Sequence, residues 1–265
     1  MKKLQSEIKR ALIELFGERA TEDGKCKFCG KPLRNGTYCD CLKATKINRY
    51  YKKANQSFSM FDMCCDESEF LNKKKDLTLR TKIPLKYRGM DFEDFKTDTP
   101  ERKKVFAQVE SYYKETIKNF LIGKNLILTG NFGTGKTLLM SILANRITSD
   151  FGFQVRYINA VDLINEIKDS FSTEVKITTK AVLDRYRESE FLFIDDIDKL
   201  NSTDYVRELI YSIVNARYES ERPVVMSSNN SIDVLDEKFF GEAVVSRLLE
   251  KSTLIQFTSK NARFA

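Results

Sequence analysis

A glycine-rich octapeptide, "GNFGTGKT" at residues 130–137, has the residue types and spacing of a phosphate-binding loop. Its glycines allow the backbone to wrap around phosphate oxygens and present N–H groups to them. Lys136 would reach the β and γ phosphates of a nucleotide, and Thr137 would bind Mg²⁺. A chance glycine-rich turn is the alternative, but an apolar run precedes the loop and a helical pattern follows it. The residues expected to line the nucleotide are Gly130, Asn131, Phe132, Gly133, Thr134, Gly135, Lys136 and Thr137.

Three aspartates follow a second apolar run in "FLFIDDID", residues 191–198. An acidic group at the end of a strand beside a phosphate-binding loop is placed to bind Mg²⁺, and we assign this role to Asp195. Asp196 would polarise the attacking water, because a carboxylate there accepts a proton from it or orients it. Capping of a following helix is a plausible alternative for Asp198, but a poor one for the first two aspartates.

A polar segment, "MSSNN", ends a third apolar run at residues 226–230. Asn229 would stand where its side chain can hydrogen-bond either the attacking water or the γ-phosphate. Asparagine and serine are also common in turns, so the segment alone would indicate only a turn. Its position after the acidic strand in the chain favours the functional interpretation.

Four of the six cysteines fall within residues 26–41, in a chain that has no histidine. Two close pairs of thiolates satisfy the tetrahedral preference of Zn²⁺, and four protein ligands leave no open position, so we expect a structural zinc site. Redox-active or incidental cysteines are the alternative. Cys64 and Cys65 are interpreted as partly buried residues that do not bind the metal. The expected zinc ligands are Cys26, Cys29, Cys39 and Cys41.

The elements that must position these residues follow from the spacing of apolar side chains. Short apolar runs alternate with longer helical patterns from about residue 81, which predicts an α/β domain with a mostly parallel sheet. Between the predicted strands at residues 154–158 and 191–195, the chain is long enough for two helices. An amphipathic helix is expected over residues 3–16. The predicted strands are residues 125–129, 154–158, 191–195, 223–228 and 253–257.

The charge distribution divides the chain. The net charge is +7, and residues 1–80 hold 18 Lys and Arg against 11 Asp and Glu, whereas residues 81–265 hold 27 of each. This excess favours an acidic partner or nucleic acid, although a solvated basic face is a common alternative. No apolar run is long enough to span a bilayer, and the N-terminus is not a secretory signal, so we expect a cytoplasmic protein without a membrane partner. The expected domains are residues 1–54, a zinc module; 55–80, a linker; and 81–265, the nucleotide-binding domain.

The order "GNFGTGKT", "FLFIDDID", "NARYESERPVVMSSNNS" and "SRLLEKS" resembles that of AAA+ ATPases. The resemblance is to bacterial and phage replicative helicase loaders of the DnaC/DnaI type, and to the related transposition helper IstB. It covers residues 81–265 and implies a five-stranded AAA+ P-loop domain. It further implies that Asn229 acts as a sensor and that Arg247 acts on the ATP of a neighbouring subunit. Asp196 departs from the family's usual glutamate, no helical lid is expected, and Arg263 is a weak candidate for a second sensor.

The function that this resemblance implies is ATP-dependent loading of the hexameric replicative helicase onto single-stranded DNA. The zinc module would grip the helicase, and the AAA+ domain would hydrolyse ATP slowly and self-associate through its AAA+ interface. Two alternatives remain open: a transposition ATPase similar to IstB, and a zinc-containing nucleic-acid-binding adaptor with an ATP-gated switch. Lys176, Lys180 and Arg185 could contact the phosphates of DNA. A solvated charged face is an equally good interpretation of these three residues.

Overall fold

The computed structural model describes residues 2–16, 25–26, 53, 81–171 and 178–259. The chain divides into two compact units, residues 1–70 and 71–265, and the division lies within the predicted linker. In the first unit, helix α1 spans Lys2–Phe16, as predicted to within one residue. Ile8 and Ala11 lie on its buried face. Within the described ranges, no helix combines the length and the apolar character that crossing a bilayer requires.

The second unit is built on a five-stranded parallel sheet with the strand order β2-β3-β4-β1-β5. Every predicted strand is present, and each boundary differs by at most one residue. The order places β1 and β3 on either side of β4, so that their carboxyl ends meet at one edge of the sheet. The strands are β1 (Asn125–Gly130), β2 (Val155–Asn159), β3 (Phe191–Asp195), β4 (Val224–Ser228) and β5 (Ser252–Phe257).

Helices cover both faces of this sheet, which is why the central strands are apolar throughout rather than alternating. Two helices lie between β2 and β3, as predicted. Single turns of 3₁₀ helix occur at Leu85–Tyr87, Phe92–Asp94 and Ile197–Lys199, and a π-helical turn at Asp236–Phe240. The α-helices of this unit are α2 (Pro100–Lys114), α3 (Thr116–Ile122), α4 (Lys136–Phe151), α5 (Ala160–Asp169), α6 (Thr179–Glu188), α7 (Asp204–Glu219), α8 (Ile232–Leu235) and α9 (Glu242–Glu250).

A buried arginine holds the amino ends of two strands that carry the site. Arg217 is 0% exposed, and its guanidinium donates to the carbonyl oxygens of Tyr186 at 2.7 Å and Ser189 at 2.9 Å. A third bond, 2.8 Å long, reaches the carbonyl of Pro223, immediately before β4. Burial pulls the pKa of Arg217 well below its ordinary value. The three carbonyls come from the end of α6, the start of β3 and the start of β4, so one side chain fixes their relative positions.

Candidate nucleotide site

The phosphate-binding loop connects β1 to α4, and its glycines are required by close packing. Gly130 has φ +133°, and a Cβ atom there would lie 2.2 Å from the carbonyl oxygen of Phe257. Gly135 has φ +101°, and its Cβ would lie 2.9 Å from the ring of Phe95. Any residue other than glycine would be strained at such φ values, and its Cβ atom would also collide with these neighbours. The loop is therefore held against β5 and a buried aromatic ring.

Lys136 is the first residue of α4 and is only 5% exposed. Its ammonium group donates to the carbonyl oxygens of Gly130 at 2.6 Å and Asn131 at 2.8 Å. A third bond, 2.9 Å long, reaches the side-chain oxygen of Asn229 at the end of β4. The sequence predicted that Lys136 and Asn229 belong to one site, and the fold brings their side chains into direct contact.

Asp195, the last residue of β3, accepts hydrogen bonds at both carboxylate oxygens. The hydroxyl of Thr137 lies 3.3 Å from Oδ1, which also accepts from the hydroxyl of Ser227. The buried hydroxyl of Tyr157 donates to Oδ2 at 2.9 Å. Burial, and then the charge of Asp195, raise the pKa of Tyr157 well above its ordinary value, so this phenol remains a donor. Three neighbours thus orient the carboxylate that was predicted to bind Mg²⁺.

Asp196 follows directly and adopts a left-handed conformation with φ +53°. Burial first, and then the charges of Asp195 and Asp198, raise the pKa of the Asp196 carboxyl. A raised pKa makes a carboxylate a better proton acceptor, which suits the role predicted for it. The backbone N–H of Asp196 donates to Ser227 Oγ at 2.8 Å, so the turn after β3 is tied to β4.

Asp198 contacts the predicted sensor instead of capping a helix. One of its carboxylate oxygens accepts the backbone N–H of Asn229 at 2.8 Å. The same carboxylate accepts the side-chain amide of Asn229 at 3.1 and 3.2 Å. Helix capping, the interpretation that the sequence left open for Asp198, is therefore wrong. The 3₁₀ turn at Ile197–Lys199 directs this side chain back toward β4.

A nucleotide with Mg²⁺ fits the residues that are present. The glycine backbone offers N–H groups beside the N-terminus of α4, where the helix dipole favours anions. Thr137 and Asp195 supply neighbouring hydroxyl and carboxylate oxygens, which are the ligands that Mg²⁺ prefers. The ion would neutralise charge on the phosphates. Phe132, predicted to line the nucleotide, is 57% exposed at the surface of the loop.

Arg247 does not join this group of residues. It lies on α9, where its guanidinium packs over the rings of Tyr211 at 5.1 Å and Tyr218 at 5.8 Å. It lines a small cleft together with Asn125 and Val224, which are the first residues of β1 and β4. The phosphate-binding loop follows the opposite end of β1, roughly 16 Å away along a six-residue strand.

The remaining predicted residues divide between the surface and the parts of the chain outside the described ranges. Lys180 and Arg185 lie on α6 and are exposed. Cys26 is described and buried, at 2% exposed. Outside the described residues lie Cys29, Cys39, Cys41, Cys64, Cys65, Lys176 and Arg263.

Two site residues were not found from the sequence, Tyr157 and Ser227. Each is a hydroxyl side chain within a buried strand, and both donate to Asp195. A polar residue inside an apolar run is the one available signal, because a buried hydroxyl needs a hydrogen-bond partner. The sequence does not say which partner that is, since it depends on β3 lying between β2 and β4.

Residues 68–264 match the family model described as IstB-like ATP binding protein. The chain belongs to this family. It is 26% identical to the phage-like element PBSX protein XkdC of Bacillus subtilis, over 94% of this chain and 89% of that protein. It is 28% identical to the replicative helicase loader DnaI of Bacillus subtilis, over 89% of this chain and 73% of that protein.

Among solved structures, the crystal structure of the DnaC helicase loader superimposes with a TM-score of 0.59 and 22% identity. The match covers 66% of this chain and all of that one. At this identity the likeness shows the fold, which is that of an AAA+ P-loop domain. Family and fold together confirm the prediction of an AAA+ ATPase.

The contact between Tyr157 and Asp195 predicts a specific defect in Mg²⁺ binding. In Tyr157→Phe, Asp195 loses the donor that orients Oδ2, and losing such an outer partner of a metal ligand costs about tenfold in metal affinity. We therefore expect the Mg²⁺ concentration for half-maximal nucleotide binding to rise by about tenfold. A titration of Mg²⁺ against a fluorescent ATP analogue measures it.

Tyr112→Phe is the matched control, because this buried hydroxyl donates to the carbonyl of Lys124 at 2.6 Å. Tyr112→Phe should lose about 1 kcal/mol of unfolding free energy, the usual net contribution of one hydrogen bond, and Tyr157→Phe about 2 kcal/mol, because its partner is a carboxylate. An unchanged Mg²⁺ requirement in Tyr157→Phe, or an equal rise in both variants, would contradict the role of Tyr157.

Proposed function

We propose that this protein is an ATP-dependent loader of the replicative DNA helicase onto single-stranded DNA. The observation that carries the proposal is the extent of the similarity to the loader DnaI. The 246 aligned residues exceed the length of the ATP-binding unit, residues 71–265. Similarity that ended with the ATPase would favour no particular partner. The similarity to DnaI extends into the first unit, which supports a partner in common with DnaI in addition to a common ATPase domain.

The residues at the carboxyl edge of the sheet would carry out ATP hydrolysis. Lys136 would exchange the carbonyl oxygens of Gly130 and Asn131 for the β and γ phosphates of ATP and would keep its hydrogen bond to Asn229. Thr137 and Asp195 would hold Mg²⁺, and Asp196 would accept a proton from the attacking water or orient it. Asn229 would sense the nucleotide through its contact with Lys136. The proximity of these side chains supports this assignment.

Arg247 would act on the ATP of a neighbouring subunit. Its cleft lies at the amino edge of the sheet, whereas the phosphate-binding loop of its own chain lies at the carboxyl edge. An arginine in this position can contact ATP phosphates only if a second copy of the chain places its own nucleotide site against the cleft. Tyr211 and Tyr218 would hold the guanidinium ready at the surface. Self-association through this interface would then make hydrolysis depend on assembly.

The first unit would grip the helicase, with residues 1–54 as the zinc module and 55–80 as the linker. The four cysteines provide a donor set that suits Zn²⁺, and the burial of Cys26 agrees with a ligand shielded from solvent. Lys180 and Arg185 are exposed cations on the second helix between β2 and β3, which supports contacts to single-stranded DNA phosphates. A loader of this kind would work in the cytoplasm.

The loader proposal predicts helicase loading in vitro. Unwinding by the hexameric replicative helicase on circular single-stranded DNA coated with binding protein should depend on this protein and on ATP. Lys136→Ala should reduce loading at least tenfold, because it removes the cation that binds the phosphates. Lys114→Ala, a change at an exposed lysine of α2, is the control and should load normally. Unwinding that is no faster than without loader, combined with stimulation of a transposase, would favour the alternative similar to IstB and contradict the proposal.

Action of Arg247 in trans predicts complementation between two inactive variants. Arg247→Ala should hydrolyse ATP about 10³-fold more slowly, because such an arginine neutralises charge in the transition state. Lys136→Ala should also be inactive. A mixture should regain activity, since some sites then combine an intact Lys136 with an Arg247 from the neighbour. Lys251→Ala, from the same cleft, should remain active. A mixture no more active than its components would exclude action in trans.

The zinc site predicts one Zn²⁺ per chain in freshly purified, reduced protein. Elemental analysis should find the metal lost from Cys39→Ser/Cys41→Ser, together with a lower melting temperature, because the metal supplies folding energy to a small module. Cys64→Ser/Cys65→Ser is the control and should retain zinc. Zinc well below one equivalent in the unmodified protein would refute the site.

A further inference from the structure

We propose that Asp198 is a positioning residue for ATP hydrolysis, fixing the side-chain amide of Asn229 so that its oxygen faces Lys136. Asp198 would act through Asn229 without touching the nucleotide. The inference rests on the proposed roles of Lys136 and Asn229 in hydrolysis, and it is independent of the helicase. It explains why the third aspartate of "FLFIDDID" contacts a different strand.

The contacts of Asn229 divide by chemical type. Its backbone N–H and its side-chain NH₂ both donate to the carboxylate of Asp198, at 2.8 Å and at 3.1 and 3.2 Å. The NH₂ group also lies 3.4 Å from an oxygen of Asp196. On the other side, the amide oxygen accepts from the ammonium of Lys136 at 2.9 Å. The NH₂ end of the amide contacts carboxylates, and the oxygen end contacts a cation.

This arrangement allows a single orientation of the amide. Carboxylates only accept hydrogen bonds and an ammonium group only donates them, whereas an amide does one at each end. A rotation of 180° would set the amide oxygen against Asp198 and the NH₂ group against Lys136. Both new contacts would be repulsive. Hydrogen bonds to a carboxylate are charge-assisted and strong, and both oxygens of Asp198 lie closer to the NH₂ group than the oxygen of Asp196 does, so Asp198 supplies the principal restraint on the NH₂ side.

The backbone is shaped to deliver Asp198 to this place. Asp196 adopts the left-handed conformation, and Ile197 is buried, so the 3₁₀ turn cannot swing away from the sheet. The hydrogen bond from the Asp196 N–H to Ser227 Oγ ties the same turn to β4, two residues before Asn229. Asp198 and Asn229 are thereby held together by backbone as well as by side chains.

The fixed orientation decides which partner Asn229 serves. The two possibilities were a hydrogen bond to the attacking water and one to the γ-phosphate. Phosphate oxygens only accept, so the amide oxygen that faces Lys136 cannot bind them. It accepts instead from Lys136 and from the attacking water. The structure therefore assigns Asn229 to the water and the lysine, as long as Asp198 retains the NH₂ group.

An exchange of the two side chains tests this assignment. Asp198→Asn removes the charged acceptor, and Asn229→Asp places a carboxylate against Asp198. In the double variant Asp198→Asn/Asn229→Asp, the new amide at 198 donates to the new carboxylate at 229, whose other oxygen still accepts from Lys136. The net charge is unchanged. ATPase rates, the affinity for a fluorescent ATP analogue and melting temperatures are measured for all four proteins, with Asp204→Asn as an exposed control.

We expect Asp198→Asn to lower kcat by about 10- to 100-fold, the loss that corresponds to hydrogen bonds to a charged group. The affinity for the ATP analogue should stay within about threefold, because Lys136 and the loop are intact. The double variant should be at least tenfold faster than Asn229→Asp, since hydrogen-bond complementarity returns. The Asp204→Asn control should resemble the unmodified protein in all three measurements.

Two results would overturn the inference: a kcat for Asp198→Asn within twofold of the unmodified protein, or a double variant no faster than Asn229→Asp. The second result would mean that Asn229 must donate to the γ-phosphate, which a carboxylate cannot do. If Lys136→Ala and Asn229→Asp both leave hydrolysis unchanged, the proposed catalytic roles themselves fail. Failure of the inference alone is recognised by inactive Lys136→Ala beside a normal Asp198→Asn.

Discussion

The parallel pairing of β1 and β3 with the two sides of β4 is the constraint on which the rest of the site depends. Three segments far apart in the chain end at one edge of the sheet because of this order. The phosphate-binding loop follows β1, the aspartates end β3, and Asn229 follows β4. Ligands of open parallel sheets generally bind at the carboxyl ends of the strands. At the opposite edge of the sheet, Arg217 holds the amino ends of β3 and β4 together, which fixes the relative positions of these two strands.

At that edge, polar side chains of the site orient one another through hydrogen bonds. Lys136 is held by Asn229, Asn229 by Asp198, and Asp195 by Tyr157 and by Ser227. Such a network is costly to leave partly unsatisfied in a buried setting, so it favours one arrangement over many. ATP must displace the contacts of Lys136 with the loop carbonyls, and the remaining bond from Lys136 to Asn229 links nucleotide binding to the end of β4. The proposed loader activity would require a coupling of this kind.

The sequence was sufficient for the parts of this account that depend on local patterns. Apolar runs placed all five strands to within one residue. The spacing of the glycine-rich loop selected Lys136 and Thr137 as candidates, the acidic end of an apolar run selected Asp195, and the fold brings Thr137 and Asp195 into contact. The contact of Asp198 with Asn229 was missed, because a left-handed residue at Asp196 and a short 3₁₀ turn direct the Asp198 side chain toward β4. Tyr157 and Ser227 were missed because their partner lies on a neighbouring strand. Distance along the chain carries little information about contacts that the strand order creates.

The family and the site establish an ATPase, and the partner is the central claim of the account. The most direct measurement is co-purification of the full-length protein with the hexameric replicative helicase, with and without ATP and Mg²⁺. Size-exclusion chromatography with light scattering gives the stoichiometry. We predict a stable complex of defined stoichiometry whose stability changes when ATP is present. Separate elution of the two proteins in both conditions would contradict the account.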